Sequence, residues 1–498
     1  MTSSSGESGC GNGSGAASPH VVLVPLPVQG HLNPFSSLAH CLAASGISVT
    51  LVRAARANAI VSEIQGSAAS SPLPHILARP IRVEVVPDGM TSDPKQPLNP
   101  NKVRESIEII GKGVDGLLEK LMREKDAPCC LIIDHLIGWG HDIALKYGLP
   151  WMMLWMGSAS AFSVGFHVPE LVSRGYIPAV GEGAKDRMID FVPGLSPFSV
   201  RDVPKPVRIE EDTKANPFFQ FFMSIYYKAK YADRILFDSV YDLESSVAEA
   251  LREEAGFSVC HVGPLFMMSS QTSKSSARTV NLLQEDDSCL SWLDKQQESS
   301  VLYISFGSVV TLEYDVISEL ASGLEASGLH FLWVIRPDAL SGKASVEELL
   351  PEGFIDRTHS RGCVISWAPQ LAVLAHPSIG AFLTHCGWNS VLESLSHGVP
   401  MLGFPQQAEQ NTNLKFIVHD WKVGLPLLQP NMQRIELTYV QDAMTVIMKK
   451  DEGKEVRRNA LHFKKVILNA CNGSSKSNLE KLVQDFISGN LKAPAPLQ

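Results

Sequence analysis

Residues 384–394, THCGWNSVLES, place hydrogen-bond donors at the predicted start of a helix. The apolar run IGAFL (379–383) comes directly before them and is typical of a buried strand, and Gly398 fits the end of the helix. The first N–H groups of a helix have no intrahelical partner, and the helix dipole is positive at that end. The segment therefore predicts an anion site, of the kind that binds phosphate groups.

Side chains in the same segment extend this predicted anion site. His385, Asn389 and Ser390 add donors at the helix start. Glu393 lies at i+3 from Ser390 and i+4 from Asn389, so it shares their face of the helix one turn further on. A carboxylate at that distance from a phosphate can accept hydrogen bonds from ribose hydroxyls, and the pattern indicates a nucleotide. Taken singly, Asn389 and Ser390 could be ordinary helix caps, and Trp388 is more often a core residue than a ligand platform.

A histidine near the start of the chain is a candidate general base. VVLVPL (21–26) predicts a strand, and a helix should follow with Asn33 as its cap, Pro34 at its first position and Gly46 at its end. His31 then lies in the loop between them, at the carboxyl edge of the predicted sheet. An imidazole can take a proton at neutral pH, although a lone loop histidine is more often a surface residue.

An aspartate could fix the tautomer of that histidine. Asp134 follows the strand-like run CCLII (129–133) and should reach the same edge of the sheet. Asp142 is the competing candidate, but it resembles a residue at a helix start. His135 and His141 could likewise be mistaken for the base. The spacing favours Asp134 and leaves the alternatives open.

The elements that position these residues alternate between apolar runs and helical patterns in both halves of the chain. Such alternation predicts parallel sheets with helices on their faces, and ligands bind such sheets at the carboxyl ends of the strands. The further predicted elements are ISVTLV (47–52), helical GHDIALKYG (140–148), WMMLW (151–155), VLYISF (301–306), a helix from about 316 to 326, HFLWVI (330–335), CVIS (363–366) and VPMLGF (399–404).

Length and composition limit the class of protein. A chain of 498 residues with 45% hydrophobic and 19% charged residues predicts at least two globular domains. The net charge of −9 argues against a nucleic-acid partner or a broad anionic-membrane surface. Nine scattered cysteines, an odd number, indicate a reducing compartment. Residues 1–19 lack the pattern of a secretory signal and no run is long enough to span a bilayer, so we expect a cytoplasmic protein with a disordered tail.

Residues 367–410 carry a resemblance to a known family. They read WAPQLAVLAHPSIGAFLTHCGWNSVLESLSHGVPMLGFPQQAEQ, which resembles the 44-residue signature box of the plant family 1 UDP-dependent glycosyltransferases. The resemblance assigns a role to each matching position. It implies uracil stacking by Trp367 with polar contacts from the Ala368 main chain and Gln370, pyrophosphate contacts from His385, Asn389 and Ser390, a ribose contact from Glu393, and sugar contacts from Trp388, Glu409 and Gln410.

Two further segments resemble the same family. SFGSV (305–309) implies a second phosphate donor at Ser308, and Gly307 would allow the close approach of the backbone. By itself an FGS triplet is an ordinary turn. PVQGHLNP (27–34) resembles the segment of the catalytic histidine, which implies that His31 is the base and that Asp134 orients it.

Some positions depart from the family pattern. Glu409 stands where aspartate is common and Phe404 where tryptophan is common, while Asp238 replaces a frequent asparagine or serine. These departures concern sugar contacts more than the fold. Gln410 implies glucose rather than galactose, because glutamine tends to accompany glucose at this position in the family.

The resemblance implies a GT-B fold, in which two facing Rossmann-like α/β domains form a cleft between them. The expected activity is inverting transfer of a hexose, glucose by preference, from a UDP-sugar to a hydroxyl or carboxyl of a hydrophobic small molecule such as a phenolic, flavonoid or terpenoid. The expected organisation is a tail (1–19), an acceptor-binding domain (20–266), a linker (267–281), a UDP-sugar domain (282–475) and a C-terminal helix and tail (476–498).

Further expectations concern partners and alternatives. No Asp-x-Asp pair of the kind that holds a metal against a nucleotide sugar is present, so we expect neither a metal nor another cofactor, and we expect a monomer. A UDP-sugar epimerase or hydrolase of the same fold, or a binding protein without turnover, remains open. The predicted acceptor pocket, some of which could be core, contains Leu26, Pro27, Met152, Met153, Trp155, Phe162 and Phe166.

Overall fold

The structure is a computed structural model that describes residues 18–66, 79–90, 100–210, 213, 215–272, 281–336, 346–428 and 435–497. The described part forms two parallel sheets, each covered by helices on both faces. Of the tail predicted for residues 1–19, residues 1–17 lie outside the described residues.

The first sheet has seven parallel strands in the order β3-β2-β1-β4-β5-β8-β9, and a short antiparallel pair, β6 and β7, lies apart from it. Its central strands β1, β4 and β5 are buried along their whole length, which explains their unbroken apolar sequences. The strands are β1 (His20–Val24), β2 (Ser48–Ala54), β3 (Ile81–Val86), β4 (Cys130–Asp134), β5 (Trp151–Trp155), β6 (Met188–Ile189), β7 (Phe198–Ser199), β8 (Arg234–Phe237) and β9 (Val259–His261).

Nine helices of the described chain belong to this first half. The predicted helix 140–148 is confirmed, and it ends at Gly148, which adopts a left-handed conformation. The helices are α1 (Gln29–Ala44), α2 (Ala55–Gly66), α3 (Pro100–Leu121), α4 (Gly140–Tyr147), α5 (Ala159–Phe166), α6 (Val168–Ser173), α7 (Pro217–Ala229), α8 (Tyr241–Glu253) and α9 (Leu265–Thr272).

The second sheet has six parallel strands in the order β12-β11-β10-β13-β14-β15. The predicted strands and the helix that follows IGAFL are confirmed. The strands are β10 (Val301–Ser305), β11 (His330–Val334), β12 (Gly362–Ile365), β13 (Ile379–Thr384), β14 (Met401–Gly403) and β15 (Gly424–Pro426). The helices are α10 (Ser288–Leu293), α11 (Tyr314–Ser327), α12 (Phe354–Thr358), α13 (Gln370–Ala375), α14 (Trp388–His397), α15 (Gln410–Lys415), α16 (Leu437–Lys449), α17 (Asp451–Asn472) and α18 (Ser474–Ser488).

Both sheets reverse their strand order at an inner pair of strands. In the first sheet the reversal lies between β1 and β4, and in the second it lies between β10 and β13. The loops after such a pair diverge to opposite faces and leave a crevice at the carboxyl edge. Asp134 ends β4 and His31 follows β1, while Ser308 and His385 follow β10 and β13, so topology alone brings each pair to one crevice. The candidates from Trp367 and Glu409 onward follow the further strands β12 and β14.

Helix α1 begins earlier than the sequence predicts. It starts at Gln29 with the extended residue Val28 as its cap, so Asn33 does not cap it and Pro34 lies inside it. His31 therefore belongs to the first turn of a helix and not to a loop. A helix positions a side chain more rigidly than a loop does, which suits a group that must meet a substrate in one geometry.

Two parts of the chain do not fit a simple division into two domains: the predicted linker and the C-terminal helix. Residues 267–272 of the predicted linker form the end of α9, and residues 273–280 lie outside the described residues. Helix α18 returns to the first sheet, where Asp485 pairs with Arg234 at 2.8 Å. One apolar cluster contains buried residues of both halves, Phe35 and Leu392 among them, so the two halves share a dry interface. None of the helices in the described ranges has the length and apolar character to cross a membrane.

Candidate active site

A cavity of about 980 Å³ lies between the two sheets. The first turn of α1 and the loop after β4 line it from one side. The loops after β10 and β13, with the start of α14, line it from the other. The cavity thus joins the two crevices formed at the strand reversals.

His31 and Asp134 form a close pair on the first side. Nδ1 of His31 lies 2.7 Å from Oδ2 of Asp134, whose side chain is fully buried behind the ring. The backbone N–H groups of Leu26 and Leu136 donate to the two oxygens of the same carboxylate, at 2.9 and 3.0 Å. The carboxylate is held from three directions, so it fixes the ring with Nδ1 protonated and leaves Nε2 with a free lone pair.

Electrostatics keep this aspartate ionised. Burial alone would raise the pKa of Asp134, but the adjacent His31 imidazole, with smaller contributions from His135 and the Leu136 N–H, holds that pKa below its ordinary value. A carboxylate that stays charged at neutral pH stabilises the imidazolium formed when His31 takes a proton.

The competing candidates lie elsewhere or have other partners. Asp142 is more than half exposed on α4 and pairs with Lys228 at 3.0 Å. His141 is buried and packs against Trp151 and Tyr231, away from the cavity. His135 is the exception, because it lines the cavity beside His31 with ring centroids 5.5 Å apart.

On the second side, the residue before α14 does not cap the helix. Gly387 precedes the helix and provides no side-chain cap, so the first N–H groups of the helix receive no hydrogen bond from it. Asn389 and Ser390 lie inside the first turn, which excludes the interpretation that they merely cap the helix. Open N–H groups with a positive dipole end beside a cavity form an anion site.

Two glycines make room for the imidazole of His385. A Cβ at Gly307 would lie 2.8 Å from Cε1 of that ring, and a Cβ at Gly387 would lie 2.4 Å from its Nε2. Burial and the nearby charge of Arg336 lower the pKa of His385 to about 4, so the ring is neutral. Its Nδ1 is buried without a hydrogen-bond partner, which is the state of a polar atom that a ligand would satisfy.

Arg336 fixes the loop that carries Ser308. Its guanidinium donates to the carbonyl oxygens of Ser308, at 2.6 Å, and Val310, at 2.9 Å. Because these carbonyls are held by Arg336, the peptide after Ser308 is fixed, and the loop that carries Ser308 is positioned at the cavity. Nothing in the sequence linked Arg336, which follows β11, to this loop.

A hydrogen-bond network holds Glu393. Gln370 donates through Nε2 to Glu393 Oε2, at 2.6 Å, and to Ser390 Oγ, at 3.0 Å. The hydroxyl of Tyr303 donates to the other end of the Gln370 amide at 3.0 Å. Burial raises the pKa of Glu393 to about 7, although the hydrogen bond from Gln370 lowers it in part. Tyr303 was not foreseen as a site residue, because a tyrosine inside an apolar strand looks like core.

Asn389 connects the two halves of the cavity. Pro34 has no N–H, so the carbonyl of Gly30, four residues earlier in α1, lacks its intrahelical donor. The Nδ2 of Asn389 donates to that carbonyl at 2.7 Å. The predicted phosphate ligand is thus also bonded to the residue before His31, and its Oδ1 is buried without a partner.

The residues expected around the sugar have distinct positions. The indole of Trp388 is 2% exposed and donates to the carbonyl of Asp238 at 2.8 Å, so it belongs to the interface between the halves. Its backbone N–H instead reaches the carboxylate of Glu409. Burial raises the pKa of Glu409. The Gln410 oxygen accepts the N–H groups of residues 406 and 407, which leaves its amide nitrogen to face a ligand.

The remaining predicted residues divide between cavity and core. Trp367 and Ala368 line the cavity, as expected of the uracil end. Of the seven residues expected in the acceptor pocket, Leu26 and Trp155 line it. Met152, Met153 and Phe162 are buried in the apolar cores instead, because β5 and residues 159–165 of α5 are buried. The cavity wall there consists of Leu136, Pro204, Pro206, Val207, Phe222 and Tyr226, with others.

Comparison with known proteins decides the family. Residues 279–465 match the family model described as UDP-glucoronosyl and UDP-glucosyl transferase. Linamarin synthase 1 from Manihot esculenta is 34% identical over 484 residues, which cover 94% of this chain and 97% of that protein. The chain is a UDP-glycosyltransferase.

Other relatives agree with this assignment. The 7-deoxyloganetin glucosyltransferase of Catharanthus roseus is 32% identical over 483 residues, covering 94% of this UDP-glycosyltransferase and 96% of that enzyme. The structure of Phytolacca americana UGT2 with UDP-2fluoro-glucose and pterostilbene superposes with a TM-score of 0.75, at 28% identity, covering 94% of this chain and 100% of that one. The fold is GT-B, as the resemblance implied.

We expect Gly307→Ala to weaken UDP binding to this glycosyltransferase by about 10- to 100-fold, the contribution of a hydrogen bond to a charged group. The new methyl group would displace the His385 ring, because its Cβ would lie 2.8 Å from Cε1. Gly307 also has φ +72°, so alanine would be strained there. Calorimetry with UDP measures the effect.

Gly328→Ala is the matched control for this prediction. Gly328 has φ +64°, close to that of Gly307, but a Cβ there would meet nothing within 4 Å. Both variants should lose about 1 kcal/mol of stability from backbone strain, while only Gly307→Ala loses UDP affinity. Equal UDP affinities of the two variants would contradict the role of the His385 ring.

Proposed function

We propose that this enzyme transfers glucose from UDP-glucose to a hydroxyl or carboxyl group of a hydrophobic small molecule, with inversion at the anomeric carbon. The observation that carries the proposal is the His31–Asp134 pair, 2.7 Å apart, facing the open start of α14 across one cavity. A base and an anion site on opposite walls suit the transfer of a group held between them.

The proposed acceptor class rests on the cavity wall and on the relatives. The wall beside His31 is predominantly apolar, with Leu26, Leu136 and Phe222 among its members. Such a surface favours a hydrophobic ligand and penalises a highly charged one. The relatives named above for linamarin and 7-deoxyloganetin, and the Phytolacca americana protein solved with pterostilbene, are associated with small organic acceptors.

The proposed reaction is a direct displacement. Nε2 of His31 takes the proton of the acceptor O–H, and that oxygen forms a bond to the anomeric carbon. The bond from this carbon to the diphosphate oxygen breaks, and its electron pair leaves with UDP. Attack from the face opposite the diphosphate inverts the configuration. Asp134 stabilises the charge that His31 gains.

The second wall is suited to the charge that develops on the leaving UDP. The donors of this wall are the N–H groups at the start of α14 with His385, Asn389, Ser390 and Ser308. Before the reaction begins, His385 is confined by the glycines, Asn389 bonds to the Gly30 carbonyl, Ser390 to Gln370, and the Ser308 loop to Arg336. Donors that are already oriented stabilise a developing charge without reorganising. In this proposal Trp367 stacks on uracil and Glu393 binds the ribose hydroxyls.

Other parts of the proposal have weaker support. Gln410 favours glucose over galactose as the transferred sugar. Its side-chain oxygen accepts the N–H groups of residues 406 and 407, and its amide nitrogen takes no part in that turn. The eight described cysteines all carry free thiols, which supports a reducing compartment such as the cytoplasm. A monomeric state and a reaction without metal or other cofactor remain predictions.

The direct test offers UDP-glucose and UDP-galactose with a panel of phenols, flavonoids and terpenoid alcohols, with and without EDTA. We expect a glucosylated product by mass, an inverted anomeric configuration by NMR and no loss of rate in EDTA. Consumption of UDP-glucose at the same rate without an acceptor would indicate a hydrolase. Tight UDP-glucose binding with no consumption at all would indicate a binding protein.

The proposed ribose contact predicts a pH dependence. Because burial raises the pKa of Glu393 to about 7, the group is largely protonated below that pH in the free protein. Ribose hydroxyls bind a carboxylate more strongly than a neutral carboxyl, so binding favours the ionised form. Uridine affinity should therefore rise by roughly tenfold from about pH 6 to about pH 8 and then level off.

Uridine is used for this measurement because the phosphate of UDP titrates in the same range. The Glu393→Gln variant should bind uridine with little pH dependence, and 2′,3′-dideoxyuridine should show little dependence even with the unaltered protein. A pH slope that survives in Glu393→Gln would place the ribose elsewhere.

A further inference from the structure

His135 lies directly beside the proposed base and has no role in the steps above. Its ring stacks near that of His31, with centroids 5.5 Å apart and planes 15° from parallel. On its other side the ring of Trp155 lies at 4.3 Å. The side chain of His135 is 13% exposed, and it lines the cavity. It is therefore held rigidly with one edge open to the space where an acceptor would lie.

One carboxylate faces both imidazoles. Oδ2 of Asp134 lies 2.7 Å from Nδ1 of His31, and Oδ1 lies 3.5 Å from Nδ1 of His135. A carboxylate is only a hydrogen-bond acceptor, so it favours a proton on each Nδ1. Nδ1 of His135 is buried and forms no hydrogen bond, so the carboxylate acts on it through its charge at 3.5 Å. Both rings are thus expected to present an Nε2 lone pair at their other end.

His135 differs from His31 in what it can do with that lone pair. Burial, partly offset by the charge of Asp134, lowers the pKa of His135 to about 4. It therefore stays neutral and does not compete for the proton of the nucleophile. A neutral imidazole protonated at Nδ1 is a hydrogen-bond acceptor at Nε2, and it needs an O–H or N–H donor in return.

No side-chain donor among the described residues forms a hydrogen bond to the His135 ring. Leu136 and Trp155 line the cavity beside it. The Tyr226 hydroxyl packs over Gly165, since a Cβ there would clash with the hydroxyl oxygen. A hydroxyl-bearing ligand is then the natural partner of His135.

We propose that His135 accepts a hydrogen bond from a second hydroxyl of the acceptor, so that preferred acceptors carry two neighbouring hydroxyls. One is the nucleophile on His31 and the other is held by His135. The inference rests on the proposed transferase function. Each hydroxyl oxygen would lie about 2.8 Å from the nitrogen of its imidazole. Two oxygens can span the stacked imidazoles in this way when the acceptor carries them on adjacent or alternate carbons of one ring.

The experiment compares acceptors that differ only in that second donor. It pairs 1,2-dihydroxybenzene with 2-methoxyphenol, and 1,3-dihydroxybenzene with 3-methoxyphenol. A methoxy group can accept a hydrogen bond but cannot donate one. For each pair we measure kcat/KM with UDP-glucose and, separately, calorimetric binding to the UDP-bound protein. With the unaltered enzyme we expect the diol to be preferred by about tenfold in at least one pair.

Three variants assign the preference to the imidazole. His135→Phe keeps a flat ring between His31 and Trp155 but cannot accept, so the ratio of diol to methyl ether should fall to near one. His135→Gln restores an acceptor and should recover part of the ratio. His40→Phe makes the same exchange outside the cavity lining and should keep it. Thermal denaturation checks that each variant is folded.

The outcomes separate this inference from the proposed function. A ratio near one in the unaltered enzyme, or a ratio unchanged in His135→Phe, overturns the role of His135. If no acceptor is glucosylated at all, the proposed function fails, and the binding ratios alone decide the inference. A diol preference in binding that His135→Phe abolishes would then still support it.

Discussion

Replacing His31 with alanine is expected to lower kcat/KM for glucosyl transfer by about 10² to 10⁴, the usual contribution of a positioned general base. Nδ1 of this ring is bonded to Asp134 at 2.7 Å, so Nε2 is the atom left to take the acceptor proton. His135 also lines the cavity near Asp134, but its Nδ1 lies 3.5 Å from the carboxylate and burial lowers its pKa to about 4, so it is the weaker base. The loss should appear in kcat, because the base acts on the transition state.

Two controls test whether this loss of rate is specific to the role of His31 as the base. UDP affinity should remain within about twofold, since His31 lies on the wall opposite the anion site. His40 lies on the same helix and bonds only to the carbonyl of Ser36, so His40→Ala should leave the rate nearly unchanged. Near-normal transfer by His31→Ala would move the base elsewhere, with His135 as the first candidate to examine.

The sheets could be predicted because the sequence signal for a strand buried on both faces is strong. Runs such as CCLII and IGAFL are unbroken and apolar, and they form β4 and β13 with little or no exposure. Placement of the site followed from topology, because the residues after strands at a reversal must share an edge. His31 and Asp134 are far apart in sequence, and both that argument and the family resemblance predicted that they pair.

The start of α1 could not be predicted from its own residues. Asn33 and Pro34 have the types of a cap and a first position, and local rules place them there. In the structure the helix tolerates Pro34 in its interior because Asn389, in the other half of the chain, donates to the carbonyl that proline leaves unpaired. The hydrogen bond between the two halves of the chain therefore outweighed the local preference of proline for the first helical position.

Other surprises have the same physical origin. Trp388, a predicted sugar contact, lines the cavity, and its indole nitrogen donates to the carbonyl of Asp238 across the interface. Tyr303 looked like core, yet its hydroxyl supports Gln370 and through it Glu393. Polar atoms buried at an interface must find partners, and those partners are distant in sequence.

Asp134→Asn should reduce kcat by about 10² to 10⁴, as expected when a buried carboxylate that sets a histidine tautomer becomes an amide. The N–H groups of Leu26, Leu136 and the His31 ring all point at this carboxylate. An amide can accept at only one end, and its NH2 group would oppose one of these donors. His31 would then rotate or protonate at Nε2, which removes the lone pair.

The matched variant Asp142→Asn tests whether this effect belongs to position 134. Asp142 is an aspartate of the neighbouring helix α4, exposed and paired with Lys228, so the rate should change by less than about twofold, as for most surface sites. The double variant His31→Ala, Asp134→Asn should be little slower than His31→Ala, because residues that act as a unit are not additive. If the two losses instead multiply, Asp134 acts independently of His31, and an orienting carboxylate is the wrong description of it.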